Sequence, residues 1–155
     1  MFKVNKLTDY ATVVLIEIAR SNVVRSSQHL SERTGIPLPT VSKLMKSLNK
    51  AGLVVSQRGA GGGYVLGRRP GEISVADVIQ AVEGPIALTA CADTSDEHCG
   101  IAAVCPVQGK WNRVNAAVRE ALSEVTLADM AEDVAHFGLS PPPALATAAH
   151  ELGIE

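Results

Sequence analysis

The sequence predicts a mainly α-helical chain with one small β-hairpin, and three observations carry that prediction. Apolar residues recur at three- and four-residue intervals along most of the first 134 positions, the period of an amphipathic helix. Between these stretches, Leu53–Ser56 and Tyr64–Leu66 are short apolar runs separated by the glycine-rich Arg58–Gly63, the pattern of two strands and a tight tip. Finally, Trp111, Val114, Val118, Leu122 and Val125 form one stripe on a long helix, longer than the small remaining core can cover.

In chain order, Thr8 is the expected cap of a first helix whose inner face holds Ala11, Val14, Leu15, Ile18 and Ala19. Asp9 then falls in its first turn, where the helix dipole favours a carboxylate. Ser27 caps a second helix with Leu30 inward. Gly35 ends it, and Pro39 opens a third helix carrying Val41, Leu44, Met45 and Leu48. Gly52 suits the left-handed position that closes the third helix.

Two short helices about a Gly-containing turn read as helix-turn-helix, and a hairpin directly after them reads as a wing. The third helix turns Thr40, Ser42, Lys43, Ser47 and Lys50 away from the core. Hydroxyl and ammonium groups are suited to base edges and phosphates. Gln28 on the second helix, with Arg58, Gly59 and Ala60 at the wing tip, completes the candidate DNA contacts. Glycines let such a tip lie close to a backbone or groove, and Arg58 supplies charge. The tip lacks both the Lys-Ser/Thr pair and the following helix of a nucleotide-phosphate loop.

Ser74 and Asp77 form a capping box for a helix with Val75, Val78, Ile79 and Val82 inward, closed by Gly84-Pro85. The long helix from Lys110 sets Arg113, Arg119, Glu120 and Glu124 opposite its apolar stripe, for which a second copy of the chain is the natural cover. Thr126 caps a further short helix with Leu127, Met130 and Val134; after Phe137 a Pro-Pro-Pro run and an alanine-rich end read as a tail. The expected organisation is therefore a winged helix-turn-helix domain over 1–84, a cysteine segment over 85–109, dimerisation helices over 110–137 and a tail over 138–155.

The formal charge of -2 conceals an asymmetry. Residues 1–69 carry eleven Lys/Arg against three Asp/Glu, and residues 70–155 carry three against thirteen. A basic head of this kind attracts phosphate and releases its counterions, so double-stranded nucleic acid is the leading partner. No apolar run spans a bilayer, because Asp9 and Glu17 interrupt the most apolar N-terminal segment. The expected compartment is the cytoplasm, with no membrane partner, and there thiols stay reduced.

All three cysteines lie in one segment, Cys91, Cys99 and Cys105, spaced C-x7-C-x5-C. An odd number cannot all pair within one chain, which favours metal over disulfides. Soft thiolates select iron–sulfur clusters or zinc. His98, beside Cys99, is a further candidate donor and would complete a tetrahedral zinc site in an interaction module without a sensing role. An enzyme with a nucleophilic cysteine is disfavoured, since no acid–base constellation converges on the thiols.

TDYA near the start, the helix-turn-helix, RGAGGGYVLGR, SVADVIQAVEG and three cysteines ahead of a long helix with a Trp together resemble the winged-helix iron–sulfur regulators that include IscR, NsrR and RirA. Within that family, KLTDYATVVL, EGPIALTAC and HCGIAAVC-x5-W are most similar to regulators of the SUF iron–sulfur-assembly operon. The resemblance implies a homodimeric transcription factor, not an enzyme, that binds a palindromic operator and represses cluster-assembly genes. It also implies that Cys91, Cys99 and Cys105 hold a 2Fe-2S or 4Fe-4S cluster. For the fourth ligand it suggests Asp9 from the partner subunit's first helix and the position of Gln108, where some members have a His; His98, a candidate by its place beside Cys99, ranks between them. Ser42 replaces an acidic residue of IscR, so operator preference is not carried over. Nitric oxide or iron sensing is the alternative within the same family.

Overall fold

A computed structural model describes residues 3–21, 23–92 and 99–132. In order, these form α1 (Lys6–Ala19), α2 (Ser27–Thr34), α3 (Leu38–Lys50), β1 (Val54–Gln57), β2 (Gly63–Leu66), α4 (Val75–Glu83), α5 (Trp111–Glu124) and α6 (Leu127–Ala131), with short 3-10 turns at Pro70–Glu72 and Ala102–Val104. The architecture is mainly helical with one antiparallel hairpin, as the sequence predicts. Val134 and the expected tail over 138–155 lie outside the described residues. No helix among the described residues is long and apolar enough to cross a membrane.

Three helix starts differ from expectation, the smallest change being at α3, which begins at Leu38 after Pro37 rather than at Pro39. Asn5, not Thr8, caps α1, its side chain accepting the Leu7 N–H at 3.0 Å. Thr8 sits one turn inside, buried, and its hydroxyl donates to the Glu83 carboxylate at the end of α4. The same carboxylate accepts the Asn5 N–H at 3.1 Å, so Glu83 ties down the start of α1. Local sequence favours any Asn, Ser or Thr as a cap. The long-range Glu83 contact gives Thr8 a different role. At α2 the cap is Ser26, accepting the His29 N–H at 3.1 Å, and Ser27 is the first helical residue. The boxes at Ser74/Asp77 and Thr126/Asp129 form as expected.

The core gathers the inner faces of α1, α2 and α3 with β1 and α4: Ala11, Val14, Leu15, Ile18, Leu30, Val41, Leu44, Met45, Leu48, Val54 and Val78 are all buried in one cluster. Leu127 of α6 belongs to that same cluster at 2 % exposure. A short backbone pairing holds it there: Val75 N–H donates to Val125 O at 2.9 Å, and Leu127 N–H to Ile73 O at 2.7 Å. The chain beyond α5 thus returns to the head.

β1 and β2 pair in register from Val54↔Leu66 to Gln57↔Gly63. A third extended piece joins them, since Arg25 and Tyr64 exchange N–H···O bonds of 3.0 and 2.8 Å. The approach is close enough that a Cβ at Gly63 would lie 2.5 Å from the Arg25 carbonyl oxygen. Glycine at 63 is therefore a packing requirement, which places the wing's base against the connection between α1 and α2.

Candidate functional site: nucleic-acid face and thiol segment

On α3, burial of Val41, Leu44, Met45 and Leu48 leaves Lys43 exposed and Thr40, Ser42 and Ser47 partly exposed. Lys46 and Lys50 are exposed three and seven residues beyond Lys43, so the outer face carries a row of ammonium groups. Lys46 is an addition to the set expected from the sequence, and its spacing from Lys43 is the signal that identifies it. The wing is braced on this helix by a bond from Ser56 N–H to Asn49 Oδ1 at 3.2 Å. At its tip Arg58, Gly59 and Ala60 are exposed, with Gly59 at φ 115°. Gln28 is exposed on α2, its amide donating to Glu32 Oε1 at 2.8 Å. α3 and the wing are thus one braced unit, which holds the candidate contact residues of both in a fixed relation.

The thiol segment follows α4. Cys91, Cys99 and Cys105 are all free thiols, each half-buried, and none belongs to the core. From Cys99 to Lys110 the backbone is a run of turns, including Ala102 N–H to Cys99 O at 3.0 Å and Gln108 N–H to Cys105 O at 3.3 Å. Cys91 Sγ lies 3.3 Å from the Thr89 hydroxyl. That contact, and then the backbone N–H of Gly109, hold the Cys91 thiol below its ordinary range, which favours the thiolate that binds metal. Among the described residues no three Cys, His, Asp or Glu side chains converge as a metal-ligating group. His98 lies outside the described residues. Asp9 is exposed on the outer face of α1, and Gln108 is exposed in the turn after Cys105. The donor chemistry, three unpaired thiols held clear of the core, fits an iron–sulfur cluster or zinc.

One residue that the sequence did not single out anchors this segment. Asn115, 4 % exposed on α5, donates through Nδ2 to Ile86 O at 3.0 Å and accepts the Leu88 N–H on Oδ1 at 3.1 Å. The chain entering the thiol segment is thereby fastened to α5. Asn115→Ala would leave a donor and an acceptor without their partner, a cost of about 1–3 kcal/mol. The expected result is a lower urea midpoint together with faster hydrogen exchange at the Leu88 amide; an unchanged amide would mean the clamp does not hold in solution.

With Asn115 and the half-buried Leu122 turned inward, α5 leaves Trp111 and Val114 exposed at 41 % and 46 %. Ile101, Val104 and Val107 extend the exposed apolar residues along the preceding turns. The predicted stripe is therefore split: Leu122 packs toward α4, while the Trp111 end is uncovered in the single chain.

Residues 4–133 match the family model Rrf2, described as an iron-dependent transcriptional regulator. The chain is 34 % identical over 128 residues to the HTH-type transcriptional regulator IscR of Vibrio atlanticus, covering 80 % of this chain and 72 % of that one. Among solved structures it superposes on CymR, the global cysteine regulator of B. subtilis, with a TM-score of 0.64 at 32 % identity over 84 % of this chain and 97 % of that one. The T. potens IscR structure gives a TM-score of 0.63 at 28 % identity, covering 93 % and 96 %.

Proposed function

Because this chain belongs to the Rrf2 family and is a DNA-binding transcriptional regulator rather than an enzyme, we propose that it senses iron–sulfur cluster supply and represses cluster-assembly genes. The observation that carries this reading is the set of three unpaired thiols, clear of the core, on a segment whose entry is fastened to α5. Cys91, Cys99 and Cys105 would hold the cluster, with Asp9 of the partner subunit as the first candidate for a fourth ligand. When bound, an iron–sulfur cluster supplies an oxidation-sensitive, exchangeable centre whose occupancy follows supply. The family model's iron dependence and the IscR relative support iron over structural zinc.

The protein's own residues supply the coupling. Thiol positions are transmitted through Ile86 and Leu88 to Asn115, and so to the orientation of α5 on α4. The exposed Trp111 and Val114 make α5 the surface on which a second copy would pack, giving a homodimer. The angle of that pairing then sets the separation of the two α3 helices and the palindromic half-sites they reach. Couplings of this kind are typically about 1–3 kcal/mol, or roughly 5- to 150-fold in affinity.

The test compares cluster-loaded and cluster-free protein on a candidate operator at one salt concentration, beside the absorption and Mössbauer spectra of oxygen-free wild type and Asp9→Ala. A roughly 5- to 150-fold difference in affinity is expected, with an altered cluster spectrum in the variant. Equal affinities would refute cluster sensing. An unchanged spectrum would remove Asp9 from the ligand set.

A further inference from the structure

Beside α3 and the wing, the head carries a groove of about 300 Å³ that none of the features above uses. It runs between the C-terminal end of α1 and one side of α2 and is lined by Glu17, Arg20, Ser21, Arg25, His29 and Arg33. Three arginines and one carboxylate thus line the same groove. Arg33 Nε pairs with Glu17 Oε1 at 3.0 Å, and Arg25 Nε donates to Ser21 Oγ at 2.9 Å. Among the described residues, each of these two arginines thus commits its Nε and keeps its terminal amino groups for a ligand. A planar fork of N–H donors matches the oxygens of a phosphate.

The groove is also held in shape. The Arg25 backbone is pinned to Tyr64 of the wing by two hydrogen bonds, and Gly63 admits no side chain there. The His29 backbone N–H donates to the Ser26 cap of α2, which fixes His29 one residue past the candidate DNA contact Gln28. Glu17 already offsets Arg33, whereas Arg25 donates to a neutral hydroxyl, so an anion entering the groove would add charge pairing at Arg25.

We propose that this groove is a phosphate-binding site distinct from the outer face of α3. Its ligand is a phosphate group, contributed either by the DNA backbone beyond α3 or by a free phosphorylated small molecule. The proposal does not depend on the thiol segment or its cofactor. It goes beyond the DNA contacts assigned to α3 and the wing tip by adding Arg25, His29 and Arg33.

The experiment uses the full chain and the variants Arg33→Gln, Arg25→Gln and Glu17→Gln. Inorganic pyrophosphate binding is measured by calorimetry, and affinity for a random-sequence duplex of about 30 base pairs by anisotropy at several salt concentrations. If the source is a free phosphorylated molecule, wild type binds pyrophosphate saturably, either arginine variant binds about tenfold more weakly, and Glu17→Gln binds more tightly. If the source is the DNA backbone, each arginine variant reduces the steepness of log affinity against log salt by about 1. Arg33 has a largely exposed side chain, so Arg33→Gln keeps the test valid even if Arg25→Gln perturbs the wing. Absence of pyrophosphate binding by wild type, together with an unchanged salt slope in folded variants, would overturn the proposal.

Discussion

Serine in place of Cys91, Cys99 and Cys105 together is expected to abolish bound iron and sulfide in protein prepared without oxygen. A hydroxyl is a poor donor to soft metal centres, so the loss should be complete rather than graded. None of the three thiols belongs to the buried core, so the variant should keep the unfolding midpoint of cluster-free wild type within a few degrees. Transcriptional output from a cluster-assembly promoter should lose its response to iron supply, by the factor that separates the cluster-loaded and cluster-free forms. Retention of both iron and response in the triple variant would eliminate the thiols as the sensing element.

A second large effect is expected at Leu127. It is 2 % exposed, lies in the head's core cluster and is held by the Leu127 N–H to Ile73 O bond of 2.7 Å. Truncation to alanine removes buried methyl groups and leaves a cavity, a loss of about 2–5 kcal/mol. Domains of this kind have about 5–15 kcal/mol in total, so urea unfolding should shift markedly to lower concentration. The loss should also free the end of α5, because Val125 and Leu127 tether it to Ile73 and Val75. A change below about 1 kcal/mol would show that α6 is not docked on the head.

The parts of this fold that are legible in the sequence are those set by short-range periodicity. Val41, Leu44, Met45 and Leu48 repeat at helical spacing and are buried, and the glycine-rich tip between two apolar runs is a hairpin. Contacts between distant residues leave no periodic mark, and these escape a reading of the chain alone. Arg25 pairs with Tyr64 as one extended residue between two helices, too short to register as a strand. Asn115 is a polar residue on a helix whose apolar neighbours draw the stripe elsewhere, and its partners are backbone groups 27 and 29 positions away. Thr8 has the chemistry of a cap, but Glu83, distant in sequence, claims its hydroxyl. The candidate DNA face is readable because exposure follows directly from the opposite, buried face; the spatial relation of the three thiols is not, since turns carry no period.

Fastening Leu88 to Asn115 joins two points 27 positions apart and so closes a loop of chain that holds all three cysteines. The entropy of bringing its ends together is already lost when the head folds, and loop size changes that loss only slowly, by about 0.6 kcal/mol per doubling. A ligand held by side chains within that loop would therefore pull directly on α5, the helix to which the loop is fastened.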